Sequence, residues 1–420
     1  MDLTPLRTSR EFRVLFVAGL VFWCGMLIGY VAVPYQLYAL TRSNFAVGAF
    51  GLVQIVPLVL AGLYGGVLAD RLDRRRVLVL TGVAQVAGTA VLLVNALAAR
   101  PSLPVIYGAG VLLAVAQSLQ SASREALVPR TVRHAELPAA VALSSVAGQV
   151  GMLAGPAVGG VLLASAGTAW AYGATLAGFT VATALFAALR PVPPLAPRSA
   201  AGTLHEIREG VGYAVRRPDL LGTYVVDLVA MLLAMPVVLF PALAVEVLER
   251  PALLGLLYSA GTVGSLLATV ASGWTARVHH HGRAVVLAAA AWGGSIVLAG
   301  LTTSPAVVLL GLALAGASDM ISGLFRGTIW HQTIPDSHRG RLAGIELLSY
   351  TLGPLGGEAR AGLVADATSV RTAIVSGGVL CVAGVAATGA ALRAFWRYDA
   401  RTDEHAVRER ELRAARDGAG

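Results

Sequence analysis

A chain of 420 residues that is 56% hydrophobic and only 13% charged carries too much apolar surface to hide inside one soluble core. Its formal net charge of +9 comes from arginine alone, since lysine is absent. The arginines sit in short clusters between apolar runs, which membrane topology explains better than a nucleic-acid-binding surface. Without lysine no P-loop can form, so ATP-driven transport by this chain alone is excluded as well.

Apolar runs of about 20 residues, enough to cross roughly 30 Å of hydrocarbon as helix, recur along the chain. They predict spans over residues 12–36, 46–69, 77–98, 104–123, 139–164, 168–189, 220–246, 252–276, 284–302, 305–328, 342–365 and 371–395. A barrel would need short alternating strands instead. The 48 glycines are abundant inside the runs, where small residues let helices approach closely. Arg7, Arg10 and Arg13 precede a first run too long for a signal-peptide core, so it reads as an uncleaved span.

Loops after even-numbered spans hold Arg71, Arg74, Arg75 and Arg76; Arg124, Arg130 and Arg133; Arg198, Arg208, Arg216 and Arg217; Arg277 and Arg283; and Arg339 and Arg341. The alternate loops hold at most one each. The positive-inside rule then puts both termini and the long middle loop in the cytoplasm. The expected fold is an all-α membrane protein with twelve transmembrane helices in two pseudo-symmetric six-helix halves, placed in the plasma (inner) membrane.

The expected organisation is an N-terminal half over 1–190, a cytoplasmic linker over 191–219, a C-terminal half over 220–396 and a cytoplasmic tail over 397–420. The linker opens on the proline-rich PVPPLAP of 191–197 and continues with Thr203 and Glu206 in a capping-box pattern. Leu204, Ile207, Val211 and Val215 share one face of the helix that follows, which reads as amphipathic and surface-lying. The halves resemble each other: GPAVGGVLLA at 155–164 aligns with GGEARAGLVA at 356–365, and Arg124 and Arg326 fall at nearly the same offset. Repeats of this kind build a substrate site near the membrane midplane in many secondary transporters.

Two motifs carry mechanism. Residues 65–76 read GGVLADRLDRRR, after the second span. This resembles the signature loop of the major facilitator superfamily, which latches the cytoplasmic side. The resemblance implies a gate built from Gly66, Asp70, Arg71, Arg74 and Arg75, with Asp73 standing where a glycine is usual. In the second half, GWTAR at 273–277 has arginine in the acid's place, so any latch there is degenerate. Residues 151–160 read GMLAGPAVGG and match the antiporter motif of drug-exporting facilitators: Gly151, Gly155, Pro156, Gly159 and Gly160. Its glycines make a smooth packing face, and Pro156 removes a backbone donor.

The resemblance narrows at TAWAYG (168–173), LGTYVVDLVAM (221–231) and WHQTIPDSHRGRLAGIE (330–346), which look like the enterobactin exporter group within the drug and macrolide exporters. It implies proton-driven siderophore export by alternating access. A multidrug or macrolide exporter is the main alternative, and a non-transporting receptor or lipid flippase a further one.

Ionisable groups at membrane depth are costly and usually line cavities or relays. Asp227 and Asp319 are expected nearer the cytoplasmic half, and Glu358 and Arg360 nearer the outer half. These three acids are the candidate proton carriers. Glu358 and Arg360, two residues apart on a helix, cannot face each other, so at least one should meet another helix. Arg360, Arg326 and Arg124 are the candidate contacts for an anionic, aromatic substrate, with Tyr30, Gln54, Gln117 and Tyr224 as neutral lining. Spans one to six have no central acid, and span four has Gln117 and Gln120 rather than the basic motif of many proton antiporters, so proton coupling is an inference from the resemblance and the three second-half acids. His279, His280 and His281 are consecutive and point apart, and Cys24 and Cys381 are far apart in sequence, so no metal site or disulfide is expected. No nucleophile or metal constellation suggests an enzyme, and no cofactor is expected. The expected partners are a small-molecule substrate, protons and membrane lipid, with no nucleic acid, and the protein is expected to act as a monomer.

Overall fold

The computed structural model describes residues 2–71, 73–191 and 212–417; at 62–71, 122, 336–341, 343–348, 350 and 413–417 it describes backbone but not side chains. A short helix α1 (Thr4–Thr8) precedes α2 (Arg10–Thr41), α3 (Asn44–Arg71), α4 (Arg74–Leu97), α5 (Leu103–Thr131), α6 (Leu137–Ser165) and α7 (Thr168–Ala187). Then follow α8 (Pro218–Ala234), α9 (Leu254–Val270), α10 (His281–Leu301), α11 (Pro305–Thr333), α12 (Asp336–Ala367), α13 (Val370–Ala391) and α14 (Glu404–Asp417). No strand occurs among the described residues.

Local chemistry sets the helix starts. Ser9 accepts the Phe12 N–H at 3.1 Å to open α2, and Ser369 accepts the Thr372 N–H at 3.1 Å to open α13. Asp73, the departure from the facilitator signature, caps α4 by accepting from the Arg75 and Arg76 N–H groups at 2.8 and 3.3 Å. Proline falls in the first two positions of α5, α6, α8 and α11, where its missing donor leaves no gap.

Among the described residues eleven segments are long and apolar enough to cross a membrane. The remaining expected span, the eleventh over 342–365, falls in α12, whose 32 residues rise through roughly 48 Å and include the charged Glu358 and Arg360. The seventh span differs from the continuous helix expected over 220–246. Helix α8 stops at Ala234, and the chain continues through a 3-10 turn at Val237–Leu239 and a π-turn at Leu243–Val247. Pro236 explains the break: it lacks an N–H and forces Met235 into an extended conformation, ψ 114°. The eighth span likewise ends its α-helix at Val270 and finishes in a 3-10 turn, Ser272–Arg277.

Contacts divide the chain into two compact units, one comprising Met1–Ala201 with Phe240–Ser259, the other Gly202–Leu239 with Ala260–Gly420. In the first, α2 packs on α6 and α7, and α4 on α5 and α7. Phe12, Leu15 and Phe22 of α2 meet Leu78, Leu127, Leu143, Phe179 and Phe186 in its core. In the second, α10 packs on α11 and α13, and α8 on α12 and α13. Large apolar side chains such as Val94, Trp170, Leu287 and Val270 stay exposed, an arrangement that suits lipid rather than water. Of the expected linker helix, Val215 is exposed, while Leu204, Ile207 and Val211 lie outside the described residues.

Candidate functional site

Thr223 and Asp227 stand four residues apart on one face of α8, and Asp319, Arg326 and Trp330 follow spacings of seven and four on one face of α11. Those faces meet. Arg326 and Asp227, each side chain 4% exposed, form a direct ion pair. Arg326 also lies 3.7 Å from Asp319, whose side chain is 44% exposed. Ser349 of α12 donates to Asp227 at 3.0 Å. Above the pair, Trp330 donates its indole N–H to the Thr223 hydroxyl at 2.8 Å and stacks on Tyr224 at 5.3 Å. A buried charge is tolerated only when paired and hydrogen-bonded. Here one guanidinium faces two carboxylates, one sealed and one accessible.

On α12 the two charged residues diverge. Arg360 donates Nε–H to the Leu232 carbonyl on α8 at 3.1 Å. That carbonyl would ordinarily accept from residue 236 one turn on, but residue 236 is proline. Arg360 therefore closes the broken end of α8, where the helix dipole also favours a cation. Glu358 is half-buried and makes no hydrogen bond or ion pair among the described residues.

The first unit presents a cation of another kind. Arg124 on α5 stacks over Trp23 at 5.0 Å and Phe22 at 5.4 Å, both from α2. It makes no ion pair among the described residues, and its Nη1 is buried without a hydrogen-bond partner. Gln120, one turn back and 1% exposed, also has an unpartnered side-chain amide. The other candidates spread out. Gln117 accepts from Gln85 at 3.3 Å, Gln54 bonds back to the Phe50 carbonyl at 2.8 Å, and Tyr30 meets Tyr258 edge-on at 5.7 Å.

The antiporter-motif glycines lie at backbone contacts. A Cβ on Gly151 would come 2.5 Å from Trp23 Cβ, and one on Gly155 2.6 Å from Leu27 Cβ. A Cβ on Gly159 would come 3.2 Å from the Ile28 backbone, and one on Gly160 would collide with the Gly255 backbone nitrogen. Pro156 is buried within α6. In the gate loop, the side chains of Gly66, Asp70 and Arg71 lie outside the described residues. Arg74 donates to the Ala126 carbonyl of α5 at 2.7 Å, and Arg75 donates to the Ala187 carbonyl at 3.1 Å, holding the end of α7.

Outside the spans, burial works against the Arg217 charge, but a bidentate pair with Asp219 at 2.9 and 2.5 Å raises it above its ordinary range. The three consecutive histidines reach separate partners: His279 meets Arg401, His280 lies 3.5 Å from Asp399, and His281 contacts the Val278 carbonyl. No cluster able to hold a metal occurs among the described residues. Ser349, Thr223 and Gly255 were missed by the sequence reading. A hydroxyl opposite an intramembrane acid and a glycine opposite a glycine motif carry no local signal, because pairing is tertiary.

The model of the transmembrane secretion effector family matches residues 1–417. The enterobactin exporter EntS of Citrobacter koseri is 30% identical over 389 residues, 92% of each chain. Among solved structures, a bacterial homologue of the iron transporter ferroportin, in an inward-facing state, aligns with TM-score 0.71 at 17% identity, covering 92% of this chain and 98% of that one. The nucleoside transporter NupG aligns with TM-score 0.74 at 11% identity, covering 92% and 100%. These two carry the fold alone. Matched along nearly its whole length, the chain belongs to the transmembrane secretion effector family of major facilitator transporters, and it is a transporter rather than an enzyme.

Proposed function

We propose that this protein is a secondary active exporter of a siderophore resembling enterobactin, working by alternating access with protons as the coupling ion. The observation that carries the cargo is the likeness, over 92% of both chains, to a protein named for enterobactin export. The arginine asymmetry of the loops supports an inner-membrane protein with both termini in the cytoplasm. The working parts are the halves 1–190 and 220–396, joined by 191–219 and followed by the tail 397–420, in a monomer.

Protons act on the second half. When Asp227 takes a proton, Arg326 turns toward Asp319; when Asp227 releases it, the buried pair re-forms, and the helices α8 and α11 follow that exchange. Glu358 is a second carrier at a different depth. Arg124, framed by Phe22 and Trp23, suits an aromatic anion, since no carboxylate pairs with it directly among the described residues. Gly66, Asp70 and Arg71, with Arg74 and Arg75, form the gate loop.

The test compares the chelator content of medium from iron-starved cells with and without this gene. Loss of a secreted siderophore, with accumulation inside, supports the reading; unchanged siderophore with raised drug sensitivity replaces it with multidrug export. In vesicles, Asp227→Asn with Asp319→Asn should abolish proton-driven export, and undiminished export would end the coupling proposal.

A further inference from the structure

A cavity of about 350 Å³ opens where the ends of five helices of the first unit converge. Its walls come from the α1–α2 junction, the α5–α6 link and the segment after α7, so every lining residue lies within a few positions of a helix end. Arg10, Arg130, Arg133 and Arg190 contribute cationic groups, and Glu11 and Glu136 the acids.

The acids are bound into the wall. Glu136 accepts from Thr8 at 3.1 Å and pairs with Arg133 at 3.0 Å. Glu11 accepts the Arg190 backbone N–H at 3.0 Å, pairs with the Arg190 guanidinium at 3.7 Å and with Arg10 at 3.2 Å. Each arginine carries five N–H donors, and these contacts use only part of them. The side chains of Arg10, Arg133 and Arg190 remain 61%, 76% and 82% exposed, so their remaining donors are available at the cavity rim. Four arginines against two carboxylates leave a net positive cavity, and the carboxylates set the direction of three of those arginines.

We propose that this cavity binds the phosphate group of an anionic phospholipid headgroup. A scatter of solvated topogenic arginines would explain positive charge alone. It would not explain a concave site with the cations held by acids that are themselves bound into its wall. Helix ends of membrane-crossing segments lie at headgroup depth, and guanidinium forks match phosphate oxygens bidentately. Basic pockets between helices on the inner leaflet are where anionic lipids are held. The inference takes from the proposed function only the membrane side of this end, not the cargo. Inorganic phosphate offers the same acceptors, and the experiment separates the two sources.

Purified full-length protein in detergent is titrated with short-chain phosphatidylglycerol, with phosphatidylcholine and with inorganic phosphate, and thermal unfolding is followed. Phosphatidylglycerol should raise the unfolding midpoint where phosphatidylcholine does not. In Arg133→Gln with Arg190→Gln the half-saturating concentration should rise roughly thirtyfold, the loss of two arginine–anion attractions. Lysine at both positions should restore most of the affinity, and an unchanged lipid-free midpoint reports that the variants fold. An equal, variant-sensitive shift with inorganic phosphate keeps the phosphate site and overturns its lipid source. No lipid-specific shift, or one that both glutamines leave intact, overturns the proposal.

Discussion

Arg124 and Arg326 stand at nearly the same offset in the two halves, and their surroundings differ in kind. Arg326 is sealed with Asp227, approached by Asp319 and backed by Ser349 through Asp227. Arg124 has two aromatic faces, a buried N–H without a partner and no carboxylate within ion-pair distance among the described residues. One position is a buried ion-paired network, and the other a cation held against aromatic faces with no direct carboxylate partner among the described residues. A buried charge that is not paired is expensive to keep. On the proposed function, an anionic cargo would supply the missing partner.

The comparison predicts opposite responses to deletion. Asp227→Ala strands Arg326 at 4% exposure and should destabilise the purified protein by about 3–5 kcal/mol, read from its unfolding transition. Adding Arg326→Leu should recover most of that loss, because no buried charge is then left unpaired. If the double variant is as unstable as the single one, the network is not an electrostatic unit.

At Arg124 the cost should fall on binding instead. Arg124→Gln removes a charge with no direct carboxylate partner among the described residues, so stability should stay level or rise by up to about 1 kcal/mol. Affinity for enterobactin should drop about tenfold, a loss near 1.4 kcal/mol. A binding titration beside a melting curve measures both. A large stability loss with unchanged affinity would make Arg124 a second structural anchor and remove the asymmetry.

The span pattern was legible because hydropathy reports burial in lipid residue by residue, and the acids at membrane depth stood out for the same reason. Pairing was not legible. Asp227 and Arg326 are 99 positions apart in sequence on separate helices, and nothing local to either names the other. The glycine face of α6 could be read as a packing surface, but Gly255, its opposite number at Gly160, belongs to no motif and emerged only from the structure, where its backbone fills the space a Cβ on Gly160 would need. Asp73 shows the converse: an irregularity in the facilitator signature has a local explanation, an N-cap, available from the residues alone. The break in α8 fell between these cases. Pro236 is visible in the chain, yet the apolar run continues through it, and hydropathy cannot distinguish a helix from an interrupted one.

That break makes a final, smaller test possible. Pro236 leaves the Leu232 carbonyl without its intrahelical donor, and Arg360 supplies one at 3.1 Å. If capping is the main role of Arg360, then Arg360→Gln should destabilise by about 1.5–3 kcal/mol, the range for a hydrogen bond to a charged group. In a Pro236→Ala background the backbone can donate to Leu232 itself, and the same substitution should then cost roughly half as much. The coupling between the two sites, measured as a double-mutant cycle in unfolding, isolates the cap from any other contact Arg360 makes. Additive losses would mean that Arg360 acts away from the α8 end, and a fall in enterobactin affinity in Arg360→Gln alone would then move it to the cargo, beside Arg124.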